Sequence, residues 1–191
     1  MKVFFVSFIV VLVDQLSKLF VKGFNIPSLS MDFVGLQSGN SIPLISHIFS
    51  ISLVENPGIA FGIDFGSNFK LFISIFTLIS SLALIFYIFK YKKEQRSIRI
   101  SLALILGGAI GNLIDRIFYG IFYHYAPLFH GKVVDFCDFR MFDFFIFNHT
   151  FGNYVFNLAD VSVTAGVILL LYALNKKKLF PQIPPNKLKL S

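Results

Sequence analysis

The chain has 191 residues, 55% of them hydrophobic and only 14% charged, with a formal net charge of +7. Soluble domains of this size carry roughly 45–50% apolar and about 25% charged residues, so a water-soluble domain is excluded in favour of a small integral membrane protein of one domain. A basic balance often marks a nucleic-acid binder, but here the basic residues stand beside apolar runs, so no nucleic-acid partner is expected; the single cysteine, Cys137, leaves no internal disulfide and no cysteine-cluster metal site.

The first apolar run, residues 3–21, is just long enough to span a bilayer at about 20 residues. Asp14 and Lys18 interrupt it and no small-x-small cleavage site follows, so it reads as an uncleaved helix rather than a signal peptide. Four residues apart, Asp14 and Lys18 share a face and pair, which favours a structural role. Residues 22–68 form a polar-leaning loop. Within it Ser46 to Val54 partly alternates, as a half-buried strand would. Glu55-Asn56-Pro57-Gly58 follows as a turn sequence: Pro57 fixes its own φ and pushes Asn56 toward an extended backbone, and Gly58 can supply φ > 0. This reads either as an ordinary hairpin turn or as the rim of a small sheet that points Asn56 into a site, and turn chemistry alone leaves both open.

The second span covers residues 69–89 and the third 98–118. Gly107, Gly108, Ala109 and Gly111 near the end of the third let helices approach closely. Asn112, Asp115 and Arg116 then project from one side, which must face protein or water. Residues 119–153 form an aromatic-rich outer connection, with Met141 to Phe147 expected at the membrane interface. The last span covers residues 154–174, with Asn157 and Asp160 three apart on one face of its first turns. Lys176, Lys177 and Lys178 are expected to end it; of the cytoplasmic tail, 175–191, the part from Pro181 to Ser191 is proline- and lysine-rich and expected to be disordered.

Charge orients the four helices. Lys2, the five basic residues from Lys90 to Arg99 and five tail lysines make eleven of the seventeen Lys and Arg, and all fall on one side, which is therefore cytoplasmic. Both termini are then inside. Asp14, Lys18, Asn56, Asn112, Asp115, Arg116, Asp135, Asn157 and Asp160 all converge on the outer face. Ionisable groups at membrane depth are costly and mark function by default. Two close carboxylates cannot both ionise cheaply; sharing one proton, Asp135 and Asp160 suit metal-free acid–base hydrolysis of an amide. A structural network balancing Lys18 and Arg116, and an ion path, remain as alternatives from the residues alone. A nucleophilic Cys137 is disfavoured because no histidine pairs with it. His47, His124, His130 and His149 show no metal-ligand spacing, so no metal site is expected.

Five segments carry a family resemblance: Asp14-Gln15-Leu16-Ser17-Lys18, Asn56 through Gly62, Gly107 through Arg116, Val133-Val134-Asp135-Phe136, and Phe156-Asn157-Leu158-Ala159-Asp160. In that order they resemble the lipoprotein signal peptidases (signal peptidase II), bacterial membrane aspartic proteases. The resemblance implies an all-α integral membrane fold: four transmembrane helices, with a small β-cradle and further loop structure on the outer face. It implies removal of the signal peptide from diacylglyceryl-modified prolipoproteins, just before the lipidated cysteine, at the outer or periplasmic face of the inner membrane. It puts the catalytic aspartates at Asp135 and Asp160, and site-lining or supporting residues at Asn56, Gly58, Asn112, Arg116, Asn157 and Ala159. Asp14, Lys18 and Asp115 match as structural polar residues. No cofactor is implied; the partners are the lipidated prolipoprotein, membrane lipid and a globomycin-type inhibitor, and the chain is expected to act as a monomer. The segment from Ile117 to Lys132 is longer than is usual in the family, which bears on substrate access and loop shape, not on the motifs.

Overall fold

The computed structural model describes residues 2–46, 48–58, 66–146 and 149–179, with backbone alone over 141–146, 149–153 and 177–179. Four apolar helical stretches are long enough to cross a membrane: Phe4–Lys22, Ser67–Lys90, Arg96–Phe122 and Leu158–Lys176. The distribution of burial supports that reading independently of length. Phe5, Phe8, Phe20, Phe72, Phe76 and Leu171 point outward, while Asp14, Lys18, Ser74, Ser81, Ser101 and Asp115 are buried. An inside that is more polar than the outside is the arrangement lipid favours, since lipid accepts apolar side chains and charges must turn toward protein.

The first helix, α1 (Phe4–Lys22), ends at Gly23, whose φ of 80° lets its N–H reach back to the Leu19 carbonyl. Strands β1 (Gly23–Ile26) and β2 (Met31–Val34) then form a two-stranded antiparallel hairpin. Strands β3 (Ser41–Ile45) and β4 (Phe49–Asn56) open a second sheet, followed by α2 (Ser67–Lys90) and α3 (Arg96–Ile114). A π-helical turn at Asp115–Tyr119 and a one-turn helix, α4 (Gly120–Phe122), extend the third span outward. Strands β5 (Val133–Ile146) and β6 (His149–Phe156) complete a four-stranded sheet of order β3-β4-β5-β6, and α5 (Leu158–Leu179) closes the described chain. Helix α3 is the hub and packs on α5, α1 and α2. Where the sheet meets the helix ends, Tyr119, Val134, Phe136 and Cys137 form a buried apolar cluster with Phe49, Ile51 and Phe156 against it.

Several expectations shift. The all-α description holds only for the spanning part, because six strands stand outside it. The expected strand at residues 46–54 lies at Phe49–Asn56. Residues 141–146 continue strand β5, whose Phe144, Phe145 and Ile146 are paired with Phe151, Thr150 and His149 of β6. The last helix starts at Leu158 and not at 154, because Tyr154–Phe156 are paired with Phe139, Asp138 and Cys137. It also runs through the three lysines to Leu179; lysine is a good helix former and does not itself terminate a helix. Ile59 to Gly62 of the second motif and the tail from position 180 lie outside the described residues.

Candidate active site

Strand β5 delivers Asp135, and the start of α5 delivers Asp160. Residue 157 is not on the helix but just before it. The Asp160 N–H donates to the Asn157 Oδ1 at 3.0 Å, and the Asn157 N–H donates to the Asp160 Oδ2 at 3.1 Å. This reciprocal pair is a capping box, with Asn157 as N-cap and Asp160 three positions on. The third exposed helix donor, Ala159 N–H, is taken by the Asp14 carboxylate of α1 at 2.9 Å. The motif from Phe156 to Asp160 is thus a helix start whose orphan donors are met by the same acids that build the site.

Asn157 ties the two carboxylates together. Its side-chain Nδ2 donates to Asp135 Oδ1 at 2.7 Å and to Asn112 Oδ1 at 3.0 Å, while Asn112 Nδ2 donates to Asp160 Oδ1 at 2.8 Å. Asn56 Nδ2 donates to the other Asp135 oxygen at 3.0 Å, and the Gly58 N–H fixes that amide by donating to Asn56 Oδ1 at 2.9 Å. Gly58 sits at φ 116°, a conformation side chains rarely adopt, so the Asn56 amide is fixed by a backbone only glycine takes easily. Of the two readings of Glu55-Asn56-Pro57-Gly58, the structure therefore favours the one with Asn56 turned into the cluster. Asp135 is only 3% exposed. Burial pushes its carboxyl from 3.8 up to about 6; the charge of Asp160 adds to the rise, and the hydrogen bonds of Asn56 and Asn157 with the charge of Lys18 restrain it.

Beneath this pair lies an ionic layer. Lys18 Nζ reaches Asp14 Oδ2 and Asp115 Oδ2, each at 2.8 Å, and donates to Asn112 Oδ1 at 2.9 Å; both ion pairs are fully buried. Asp115 also accepts the Val134 N–H at 3.2 Å, joining the end of α3 to the strand that carries Asp135. Glycines make these approaches possible: a methyl group on Gly108 would strike the Ala159 carbonyl, and one on Gly111 the Asp14 carboxylate. Arg116 stands within electrostatic reach of Asp115, Asp135 and Asp160, and its buried Nη1 has no hydrogen-bond partner among the described residues. An apolar groove of about 470 Å3, lined by Phe156, Asp160, Val161, Thr164, Ala165 and Ile168, runs from Asp160 along α5.

All the residues singled out from sequence thus come together at one end of the bundle. Sequence reasoning missed Gln15, which donates to Asp115 Oδ1 at 2.9 Å and to the Gly111 carbonyl at 3.1 Å. The signal was there, as a polar residue inside an apolar run. It also missed Lys22, Glu55 and the tyrosines after Asp115. Among the described residues no three His, Cys, Asp or Glu side chains gather as a metal ion would require.

Four apolar spans, three of which gather a buried carboxylate–amide cluster with strands β4 and β5, define a multi-pass membrane protein. The family described as Signal peptidase (SPase) II matches residues 6–176, and the chain belongs to that family of peptidases. The lipoprotein signal peptidase of Pelodictyon phaeoclathratiforme is 33% identical over 97% of this chain and 96% of its own length, and that of Halothermothrix orenii 37% identical over 92% and 97%. Two solved structures described as bacterial membrane enzymes superpose with TM-scores of 0.62 and 0.63, at 29% and 30% identity, covering 93% and 92% of this chain and 89% and 93% of theirs.

Proposed function

We propose that the chain is an aspartic endopeptidase that removes the signal peptide from diacylglyceryl-modified prolipoproteins, cutting just before the lipidated cysteine. The observation that carries this reading is the pair itself: a buried Asp135 carboxyl raised to about 6 and linked through one asparagine to Asp160, beside an apolar groove. The chain forms one membrane domain with both termini in the cytoplasm and the site at the outer face of the inner membrane. It works without a cofactor and as a monomer.

Asp160 acts as the base and Asp135, protonated, as the acid. Asp160 lies at the positive end of the α5 dipole and accepts two N–H groups, which suits a carboxylate. It takes a proton from water as the oxygen attacks the scissile carbonyl carbon. The Asp135 proton passes to the carbonyl oxygen, giving a neutral gem-diol. When the C–N bond breaks, the leaving amine takes the proton from Asp160, and Asp135 recovers its proton from a diol hydroxyl, leaving a carboxylic acid product. The Nη1 of Arg116, without a hydrogen-bond partner among the described residues, supplies a donor for a substrate carbonyl. The groove beside Asp160 takes the apolar part of the substrate, so the amide arrives oriented.

The test is a gel-shift assay with purified protein, phospholipid and a diacylglyceryl-modified prolipoprotein. Loss of the signal peptide, blocked by globomycin, is expected; an uncleaved precursor under these conditions would overturn the reading.

A further inference from the structure

The strand end that carries Asn56 is weakly held by its own sheet. The pairing of β4 with β5 shifts register between Ile51 and Val54, so residues 54–56 form a separate short piece of ladder opposite Asp135, Val134 and Val133. Pro57 follows and has no N–H with which to continue it. Side chains alternate along a strand, so Glu55 points away from the side that presents Asn56. There it meets two lysines: Lys22 Nζ pairs with its Oε1 and Lys132 Nζ with its Oε2 at 3.2 Å. Lys22 in turn lies 4.0 Å from the ring centre of Tyr123 and 5.0 Å from that of Tyr125. Tyr123 donates to the Gly23 carbonyl at 2.7 Å, and the Lys132 N–H donates to the Tyr125 hydroxyl at 2.8 Å. The segment that returns from α4 is therefore bound to the end of α1 through the same carboxylate. Its Gly131 N–H also donates to the Arg116 carbonyl in the π turn at 2.9 Å.

Helix α1 works as a ruler in this arrangement. Asp14, Lys18 and Lys22 are spaced four apart on one face and reach Ala159, Asn112 and Glu55 in turn. Each fixes a different element around the carboxylate pair.

We propose that Glu55 is a positioning residue: gripped by Lys22 and Lys132, it fixes the strand end so that Asn56 keeps its amide on Asp135. This rests on the reading of Asp135 and Asp160 as the catalytic pair. Burial works to raise the Glu55 carboxyl, but the hydrogen bonds and charges of Lys22 and Lys132 outweigh it and hold the group below its ordinary value, so it stays ionised at neutral pH. Asp135 faces Asp160 from α5, Lys18 from α1 and Arg116 from the π turn, with Asn56 and Asn157 donating to it. Removing the Asn56 donor takes away one of the groups that favour its ionised form, so Asp135 holds its proton to higher pH.

The experiment compares wild type, Glu55→Gln, Glu55→Asp, Asn56→Ala and the double variant Glu55→Gln/Asn56→Ala, full-length in phospholipid, on a diacylglyceryl-modified prolipoprotein. Glu55→Gln is expected to lower kcat about tenfold with KM within twofold, to move the alkaline limb of kcat/KM upward, and to be partly rescued by Glu55→Asp. The double variant is expected to be no slower than Asn56→Ala alone. A wild-type pH profile in Glu55→Gln, or losses that multiply in the double variant, would overturn the proposal. If Glu55→Gln does not accumulate, Lys132→Gln carries the test, and an unmoved profile overturns it. A wild-type protein that leaves the precursor uncut sinks the catalytic reading instead, so the two failures are distinct.

Discussion

Asp135 is buried, carries a raised pKa and touches two asparagine donors, and each of these properties has a measurable consequence. Its carboxyl is pushed from 3.8 up to about 6, chiefly by burial. In free enzyme the acid form needed for the proposed step is therefore lost above about pH 6. The kcat/KM profile is expected to fall on its alkaline side with an inflection near that value, about tenfold per further pH unit; a flat profile from pH 5 to 8 would speak against Asp135 as the acid. Stability follows the same shift with a definite sign. Between about pH 4 and 6 the unfolded chain has released this proton and the folded chain still holds it. The contribution of this group is therefore fully present below the unfolded value and is lost as pH rises through the folded one. Melting followed across that window is expected to decline in wild type relative to Asp135→Asn, which has no proton to release.

At the scale of elements, helix α5 starts where it does because its first donors are satisfied from three directions: Asn157 and Asp160 cap each other, and Asp14 crosses from α1 to take the Ala159 N–H. Asp14 therefore serves two elements at once, holding Lys18 in the fully buried layer and the end of α5 in place. Removing one partner from a buried ion pair costs about 3–5 kcal/mol. Asp14→Asn keeps an acceptor oxygen for Ala159 but loses the charge, so a stability loss of about 3 kcal/mol is expected, with the folded fraction still turning over. Thermal melting in detergent beside turnover per folded molecule checks this; unchanged melting with lost turnover would move Asp14 into the chemistry. Much of this element scale was legible in advance. Four-residue spacing put Asp14 and Lys18 on one face, and the glycines from Gly107 to Gly111 marked a close helix contact, which the structure locates against Asp14 and Ala159. The capping box was not seen, because an apolar run from 154 onward reads as helix, whereas ladder pairing with β5 holds Tyr154–Phe156 as strand. Propensity lost there to tertiary pairing.

For the whole molecule, the apolar runs and the charge asymmetry carry the four-span architecture on their own, because length and hydropathy are local properties of sequence. A strand near 46–54 and a small β-cradle were expected, but which strands pair could not be read from sequence. The strands pair across long separations, with β4 against β5, and neither alternation nor turn signals say which strand will meet which. The two-lysine grip on Glu55 was hidden for the same reason: Lys22 and Lys132 are far from it in sequence, and only the folded chain brings them together. The convergence of Asp14, Lys18, Asn112, Asp115, Asp135, Asn157 and Asp160 on one end of the bundle, by contrast, followed from placing the spans alone. The apolar groove along α5 opens beside Asp160, where the proposed function places the substrate.

The central claim is that one proton divided between Asp135 and Asp160 drives peptide hydrolysis. Cleavage of a diacylglyceryl-modified prolipoprotein by Asp135→Asn and Asp160→Asn, each purified from membranes and shown to melt as a folded protein, tests it most directly. The account predicts loss of at least 10³-fold in turnover for each, since general acid–base steps contribute roughly 10²–10⁴-fold apiece. Turnover at the wild-type rate by either folded variant would contradict it.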